Sequence, residues 1–206
     1  MKLAGCLVAL AVAVVLLRAP AYAADPRYPD WPCAQAKVPD LSVAAIWDGP
    51  AIDKVGNSWL DDAKIRDLVS LIAARRTPLD DAQKAIDEFM AGKNAADKQA
   101  AGTAIFAGAF DTLSQQRGEV MSGIERVARN EKDLAEKIKS DVATLRELED
   151  KPDQDQAKVT ELANQVEWST RVFEDRRKTI RYVCEVPATI EQRLFTLARL
   201  IRQTMK

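Results

Sequence analysis

The chain has 206 residues, with 30 basic and 31 acidic side chains, three cysteines and no histidine. The lack of histidine excludes Ser-His-Asp and Cys-His nucleophilic sites, an imidazole general base and histidine-ligated catalytic zinc. The balanced charge argues against a nucleic-acid-binding protein, which usually carries a basic excess on one face. The length fits a single domain.

The first 23 residues have the pattern of a secretory signal peptide. Lys2 precedes a run of fifteen mostly apolar residues, Leu3 to Leu17, and residues 21–23 form an A-x-A cleavage site. The run is shorter than the roughly 20 residues that a membrane-spanning helix needs. Cleavage would leave a chain from Ala24 with 28 basic and 31 acidic groups. We therefore expect a periplasmic protein with no stable membrane insertion and no attraction to nucleic acid.

The cysteines predict one disulfide bond. Cys6 lies in the signal peptide, so Cys33 and Cys184 would remain in the mature chain. An isolated pair in an oxidising compartment is expected to form a bridge. Closing a loop of about 150 residues contributes about 5 kcal/mol in the chain-entropy model. Two free thiols, or a link between two chains, are the alternatives.

Residues 24–60 are predicted to form an irregular N-terminal wrap. Five prolines interrupt this stretch, and helical periodicity is weak. Trp31, Trp47 and Trp59 nevertheless indicate order, because disordered segments are poor in aromatic residues. We expect these rings to cover the apolar end of a helical body. The alternative is that they anchor a partner or a small ligand, since tryptophan is enriched in binding hot spots.

Two short helices are predicted next. The first spans Asp61 to Arg75, with acidic residues in its first turn and basic residues in its last, as the helix dipole favours. The second follows Thr77 as N-cap, has Pro78 at its first position and stops at Gly92. The acidic pairs at these helix starts lack the alternating spacing of an EF-hand loop, so capping explains them better than calcium binding.

The second half of the chain carries a long amphipathic pattern. Apolar residues recur at alternating intervals of three and four from Phe106 to Leu148 and again from Val159 to Ile201. A short turn sequence, residues 151–155, separates the two repeats. This arrangement predicts an antiparallel coiled-coil hairpin over about residues 104–185.

The pattern also predicts a register for the hairpin. Placing Leu145 opposite Leu162 places Glu131 opposite Arg176, and such a pair is more credible as a register device than as a source of stability. The same register pairs Leu134 with Phe173, Val127 with Ile180, Leu113 with Leu194 and Phe106 with Ile201.

Pro187 should interrupt the returning helix, because proline removes a backbone donor and disfavours helical geometry at the residue before it. We therefore predict a separate C-terminal helix over residues 187–206. This helix is basic and amphipathic, but its apolar face continues the hairpin seam. Packing is accordingly favoured over binding to a membrane surface.

Small residues between positions 100 and 123 would let other helices approach closely, so we expect the two short helices to dock there. From about Glu125 to Asp150, and from Lys158 to Arg181, most positions off the seam are charged or polar, and Trp168 is the aromatic exception. The expected fold class is therefore all-α: a small helical head, formed by two short helices on the proximal part of a long hairpin, with a protruding antiparallel coiled-coil stalk and a disulfide-tied N-terminal wrap.

No catalytic, metal-binding or cofactor-binding set of residues emerges. Paired carboxylates could hydrolyse a glycoside without histidine, but the acidic residues are dispersed among lysines and arginines on helix surfaces. The glycines also lack the strand and lysine context of a phosphate-binding loop.

We therefore expect a non-enzymatic protein that contacts another periplasmic or envelope protein, as an adaptor, scaffold or assembly factor. The candidate contact residues are the three N-terminal tryptophans and the hairpin tip, at Pro152, Asp153 and Asp155. The alternatives are a holdase-type chaperone and a small-ligand-binding protein that uses the tryptophans. Pairing with a second copy stays open.

Overall fold

The computed structural model describes residues 25–206, and the predicted signal peptide, with Cys6, lies outside them. The described chain is all-α, as predicted. A 3-10 turn, Gly56–Leu60, precedes the second of six α-helices. The helices are α1 Val43–Ile46, α2 Ala63–Ala73, α3 Leu79–Met90, α4 Ala95–Glu149, α5 Gln156–Val183 and α6 Val186–Thr204.

The ends of the short helices follow from local capping. Asp62 caps α2, because its side chain accepts hydrogen bonds from the backbone N–H groups of the first turn. Gly92 follows α3 with φ +76, a left-handed conformation that glycine adopts without strain, so the predicted stop is confirmed. The prediction of Thr77 as N-cap was wrong: Pro78 occupies that position, with no side-chain cap.

Pro187 separates α5 from α6 as predicted. Cys184 is the C-cap of α5, and α6 restarts at Val186 with the proline in its first turn. The missing N–H of proline costs nothing at a helix start, where no intrahelical acceptor exists for it. The returning arm is therefore two helices with a joint at residues 184–185.

The core of the head lies where α2, α3, α4 and α6 meet. Its fully buried side chains include Ile72, Ile86, Ile105, Phe106, Leu113, Leu194, Leu197 and Ile201. Helix α2 packs on α4, as expected from the small residues there. Helix α3 packs on α6 and α2 instead, so the expectation that both short helices dock on the small-residue stretch was wrong for α3.

Helices α4 and α5 form the antiparallel hairpin. Helix α4 has 55 residues, which corresponds to about 83 Å at 1.5 Å per residue. Beyond the α5–α6 joint the arm consists of α4 and α5 alone, and we call residues 137–172 the stalk. Among residues 25–206, the one side-chain hydrogen bond or ion pair that joins the stalk to the rest of the chain is a surface pair within α4, Lys139 Nζ to Glu136 Oε2 at 3.5 Å. The stalk therefore protrudes from the head.

Candidate contact surfaces

The N-terminal segment lies along α4 and is held there by ion pairs. Lys37 Nζ lies 2.6 Å from Glu125 Oε1, and Lys132 Nζ lies 2.7 Å from Asp30 Oδ1. The hydrogen bond from Lys132 lowers the pKa of Asp30 below its usual value. Residues 30–37 therefore lie antiparallel to α4, with Asp30 nearer the stalk than Lys37. They cover one side of the hairpin base.

A disulfide bond fixes this segment to the α5–α6 joint, as predicted. Cys33 and Cys184 are bonded, with Cα atoms 5.6 Å apart. The bridge connects an irregular segment to the point where Pro187 has interrupted the returning arm. The base of the hairpin is thereby tied covalently to the N-terminal segment.

Two of the three N-terminal tryptophans pack on the head. Trp47 is buried and stacks on Phe106 with ring centroids 4.1 Å apart. Trp59 is half-buried against Gly108, and its indole N–H donates to Asp111 Oδ2 at 3.0 Å. The expectation that the rings cover the helical body holds for these two. Trp47 is 6% exposed, which leaves its ring almost no accessible face for a partner or ligand.

Trp31 lies elsewhere, in a groove of about 400 Å³ between the N-terminal segment and the hairpin base. Its indole N–H donates to the carbonyl oxygen of Gln35 at 2.7 Å. We call this the Trp31 groove; its other lining residues are Pro29, Asp30, Pro32, Ala128, Glu131, Lys132, Ala135, Phe173, Arg177, Ile180 and Arg181. Trp31 thus faces a cavity.

The predicted seam ion pair is brought together at the hairpin base. Arg176 Nη1 donates to Glu131 Oε1 at 3.2 Å, and Glu131 is 7% exposed. The second carboxylate oxygen of Glu131 is buried without a hydrogen-bond partner among the described residues. Farther out, Gln165 Nε2 donates to Asp141 Oδ2 at 3.2 Å. Both contacts fit the register derived from the sequence.

The seam is looser where Val127 was predicted to face Ile180. These residues line one groove of about 410 Å³ between α4 and α5, and Val127 is 41% exposed. Val183, also on this groove, is 36% exposed. The two helices thus leave apolar surface accessible just below the α5–α6 joint.

Among residues 25–206 the most exposed aromatic side chains lie on α5, and neither was predicted from the sequence to make a contact. Trp168 is 66% exposed and Tyr182 is 74% exposed. The signal for Trp168 was present in the sequence, since it is the one aromatic residue among the mostly polar off-seam positions of residues 158–181. Positions off the seam are expected to face solvent whatever their residue type, so the heptad pattern alone does not predict a contact for Trp168.

The predicted tip residues divide into two kinds. Asp155 is the N-cap of α5, and its hydrogen bond with Lys158 lowers the pKa of the carboxyl group. Pro152 and Asp153 are exposed in the turn before it. Asp155 therefore has a structural role, whereas its two neighbours are open to a partner.

The basic C-terminal helix packs on the head. The Arg193 guanidinium donates to the carbonyl oxygen of Ile72 at 2.6 and 2.8 Å and to that of Thr77 at 2.9 Å. Burial lowers the pKa of Arg193. Phe195, on the other side of α6, is 46% exposed. The cation of Arg193 thus joins α6 to the end of α2 and the start of α3.

Within residues 25–206, no group of three or more acidic or cysteine side chains is placed to bind a metal ion. None of the helices described between Asp25 and Lys206 has the length and apolar character needed to cross a membrane. Comparison with protein-family models, curated proteins and solved structures finds no match to this chain.

Proposed function

We propose that the protein is exported to the periplasm and acts there without catalysis, through protein–protein contacts, as an adaptor, scaffold or assembly factor of the cell envelope. The observation that carries the proposal is Trp168, a tryptophan 66% exposed on a hairpin arm that has no helix packed over it. The disulfide bond supports export, since such bridges persist in oxidising compartments.

The energetics favour a contact role for Trp168. A tryptophan buries roughly 150–250 Å² when covered, so covering the exposed part of this ring contributes on the order of 3 kcal/mol at about 25 cal/mol per Å². Nothing in the described fold uses that free energy. Aromatic side chains are also enriched at binding hot spots, and the charged residues around Trp168 resemble the polar rim of an interface.

Site-specific cross-linking tests the proposal. A photoreactive amino acid replaces Trp168 in cells, and the matched control replaces Phe195, an aromatic residue 46% exposed on the head. We expect a defined envelope protein other than the chain itself to be cross-linked from position 168 and not from position 195. Affinity capture of that protein should be lost when residues 137–170, which include Trp168, are trimmed.

Two results would contradict a contact role for the stalk. One is the absence of any discrete cross-linked protein from position 168. The other is capture of the same partners after residues 137–170, which include Trp168, have been trimmed, because capture would then not need the stalk.

A holdase-type chaperone is the second candidate, favoured by the accessible apolar surface at Val127 and Val183. Val127→Asp would then reduce suppression of aggregation for several unrelated client proteins alike. Val38→Asp, at an apolar residue 53% exposed on the N-terminal segment, should leave that suppression unchanged. Preference for a single client would support the adaptor over the chaperone.

A further inference from the structure

Helix α5 and the tip before it have opposite charge at their two ends. Residues 150–169 contain five acidic and two basic side chains, and residues 170–183 contain five basic and two acidic ones. The helix is therefore complementary to a copy of itself that runs in the opposite direction. A parallel copy would place like charges together along the whole length.

An exposed stripe of α5 carries both of its accessible aromatic rings. Its members recur at alternating intervals of four and three, and every one is exposed: Ala157, Glu161, Asn164, Trp168, Arg171, Asp175, Lys178 and Tyr182. This is the spacing of a second helix-packing seam, distinct from the seam that faces α4. Trp168 is the thirteenth of the 28 residues of α5, so the largest exposed ring lies near the middle of the stripe.

We propose that this stripe is the interface of a homodimer in which α5 of a second copy packs antiparallel across it. The inference rests on the proposed function, because it takes the Trp168 face as a protein contact and names the partner. One register fits the exposed groups best. It places Trp168 over Arg171 of the second copy, which is a cation–π arrangement, and Tyr182 against the small Ala157.

The same register places Glu161 opposite Lys178 of the second copy. Glu161 has no ion pair among residues 25–206. Lys178 reaches Asp175 at 3.2 Å on the surface, with both side chains more than two-thirds exposed, so that pair holds it weakly. Twofold symmetry makes this contact twice in each dimer.

Sedimentation velocity over about 1 to 500 µM tests the inference. We expect the native chain to dimerise and Trp168→Ala to weaken self-association about tenfold or more, which corresponds to about 1.4 kcal/mol. Glu161→Lys and Lys178→Glu should each weaken self-association as much as Trp168→Ala does, because each variant places like charges opposite one another. An equimolar mixture of these two variants should recover dimers, since each supplies the charge that the other has lost.

The matched control reverses an exposed ion pair on α4, the other helix of the hairpin. Glu136→Lys and Lys139→Glu lie at the ends of a 3.5 Å surface ion pair on α4 and should leave self-association unchanged. Far-UV circular dichroism would show that every variant remains helical, because all four charge changes are at exposed positions.

A native chain that stays monomeric throughout the concentration range would overturn the homodimer, and so would a dimer indifferent to Trp168 or a mixture that does not recover. The proposed function fails separately. A monomer that is still cross-linked to another envelope protein from position 168 leaves the function standing and removes the second copy as partner. A dimer from which no other envelope protein is cross-linked leaves the homodimer standing and removes the proposed function.

Discussion

Arg117 shows how a charged side chain is accommodated inside the head. Its side chain is 4% exposed and donates to Glu191 Oε1 at 2.6 Å and to the carbonyl oxygens of Val38 and Pro39 at 2.6 and 3.0 Å. The planar guanidinium can reach all three acceptors at once, which a lysine ammonium on a flexible chain cannot do as well. One residue thus joins α4, α6 and the N-terminal segment.

Replacing this residue should be costly. Arg117→Ala leaves the carboxylate of Glu191 and two carbonyl groups without their donor, and leaving a buried acceptor unsatisfied costs about 1–3 kcal/mol. Urea denaturation would measure the loss in free energy of unfolding. Arg126→Ala, at an exposed arginine on the same helix, is the control and should stay within about 0.5 kcal/mol of the native protein. Equal effects of the two variants would refute the structural role of Arg117.

The charged residues of the hairpin seam differ in how well the sequence predicts their partners. Glu131 and Arg176 were paired correctly, because the heptad register relates the two helices and fixes which positions meet. Arg117 occupies the same seam, yet its partners could not be inferred in the same way. Two of them are backbone carbonyls more than 70 residues away in an irregular segment, and no periodicity relates that segment to α4.

Two glycines of α4 differ in how closely other side chains pack against them, so packing and helix propensity can be compared within one helix. A Cβ atom at Gly108 would lie 2.8 Å from side-chain atoms of Trp59 and Val69, whereas one at Gly118 meets nothing within 4 Å. The same substitution in one helix therefore meets a closed contact at the first position and open space at the second.

Alanine at these two positions should have effects of opposite sign. Gly108→Ala forces the facing side chains to move, at about 1–3 kcal/mol, which outweighs the gain in helix propensity. Gly118→Ala should raise the free energy of unfolding by up to about 1 kcal/mol, because alanine is the better helix former. Denaturant unfolding of both variants checks this, and stabilisation by both would mean that α2 does not pack closely on Gly108.

Helix positions were easier to predict than helix partners. The break at Pro187 and the stop at Gly92 are local properties of one or two residues. The docking of α3 on α6 depends on the three-dimensional path of the chain, and the small residues of α4 gave the wrong partner for that helix. The same reason applies to Trp168. Its position off the seam can be read from the sequence, but its exposure depends on whether another helix packs over it, which the sequence pattern does not show.

The disulfide bond should stabilise the whole fold through the chain it closes. Cys33 and Cys184 are separated by 151 residues, and the chain-entropy model gives about 5 kcal/mol for such a loop. Replacing both cysteines by serine should therefore lower the free energy of unfolding by up to this amount, and limited proteolysis should cut residues 25–40 first. Unchanged stability and unchanged proteolysis would show that the non-covalent contacts alone hold the N-terminal segment.

For the whole molecule, the head and the stalk differ in how much apolar surface they bury. Side chains such as Phe106, Leu113 and Leu194 are fully buried in the head, because helices approach them from several sides. The stalk positions of the seam, for example Leu145 and Leu162, are only half-buried, since two helices cover them from one side each. Apolar burial is the main favourable term in folding, so stability should decrease from the head toward the tip.

Native-state hydrogen exchange should reveal this gradient. Backbone amides that open only on global unfolding should lie in α2, α6 and the part of α4 near Phe106, whereas amides of the stalk should exchange through local opening of lower free energy. Peptides from residues 137–172 should therefore exchange faster than peptides from residues 100–125 when measured by mass spectrometry at low denaturant. Homodimerisation along α5 should slow exchange in the stalk as protein concentration rises, with Trp168→Ala as the control that removes this dependence. Uniform protection from head to tip at low concentration would show that the hairpin opens only together with the head.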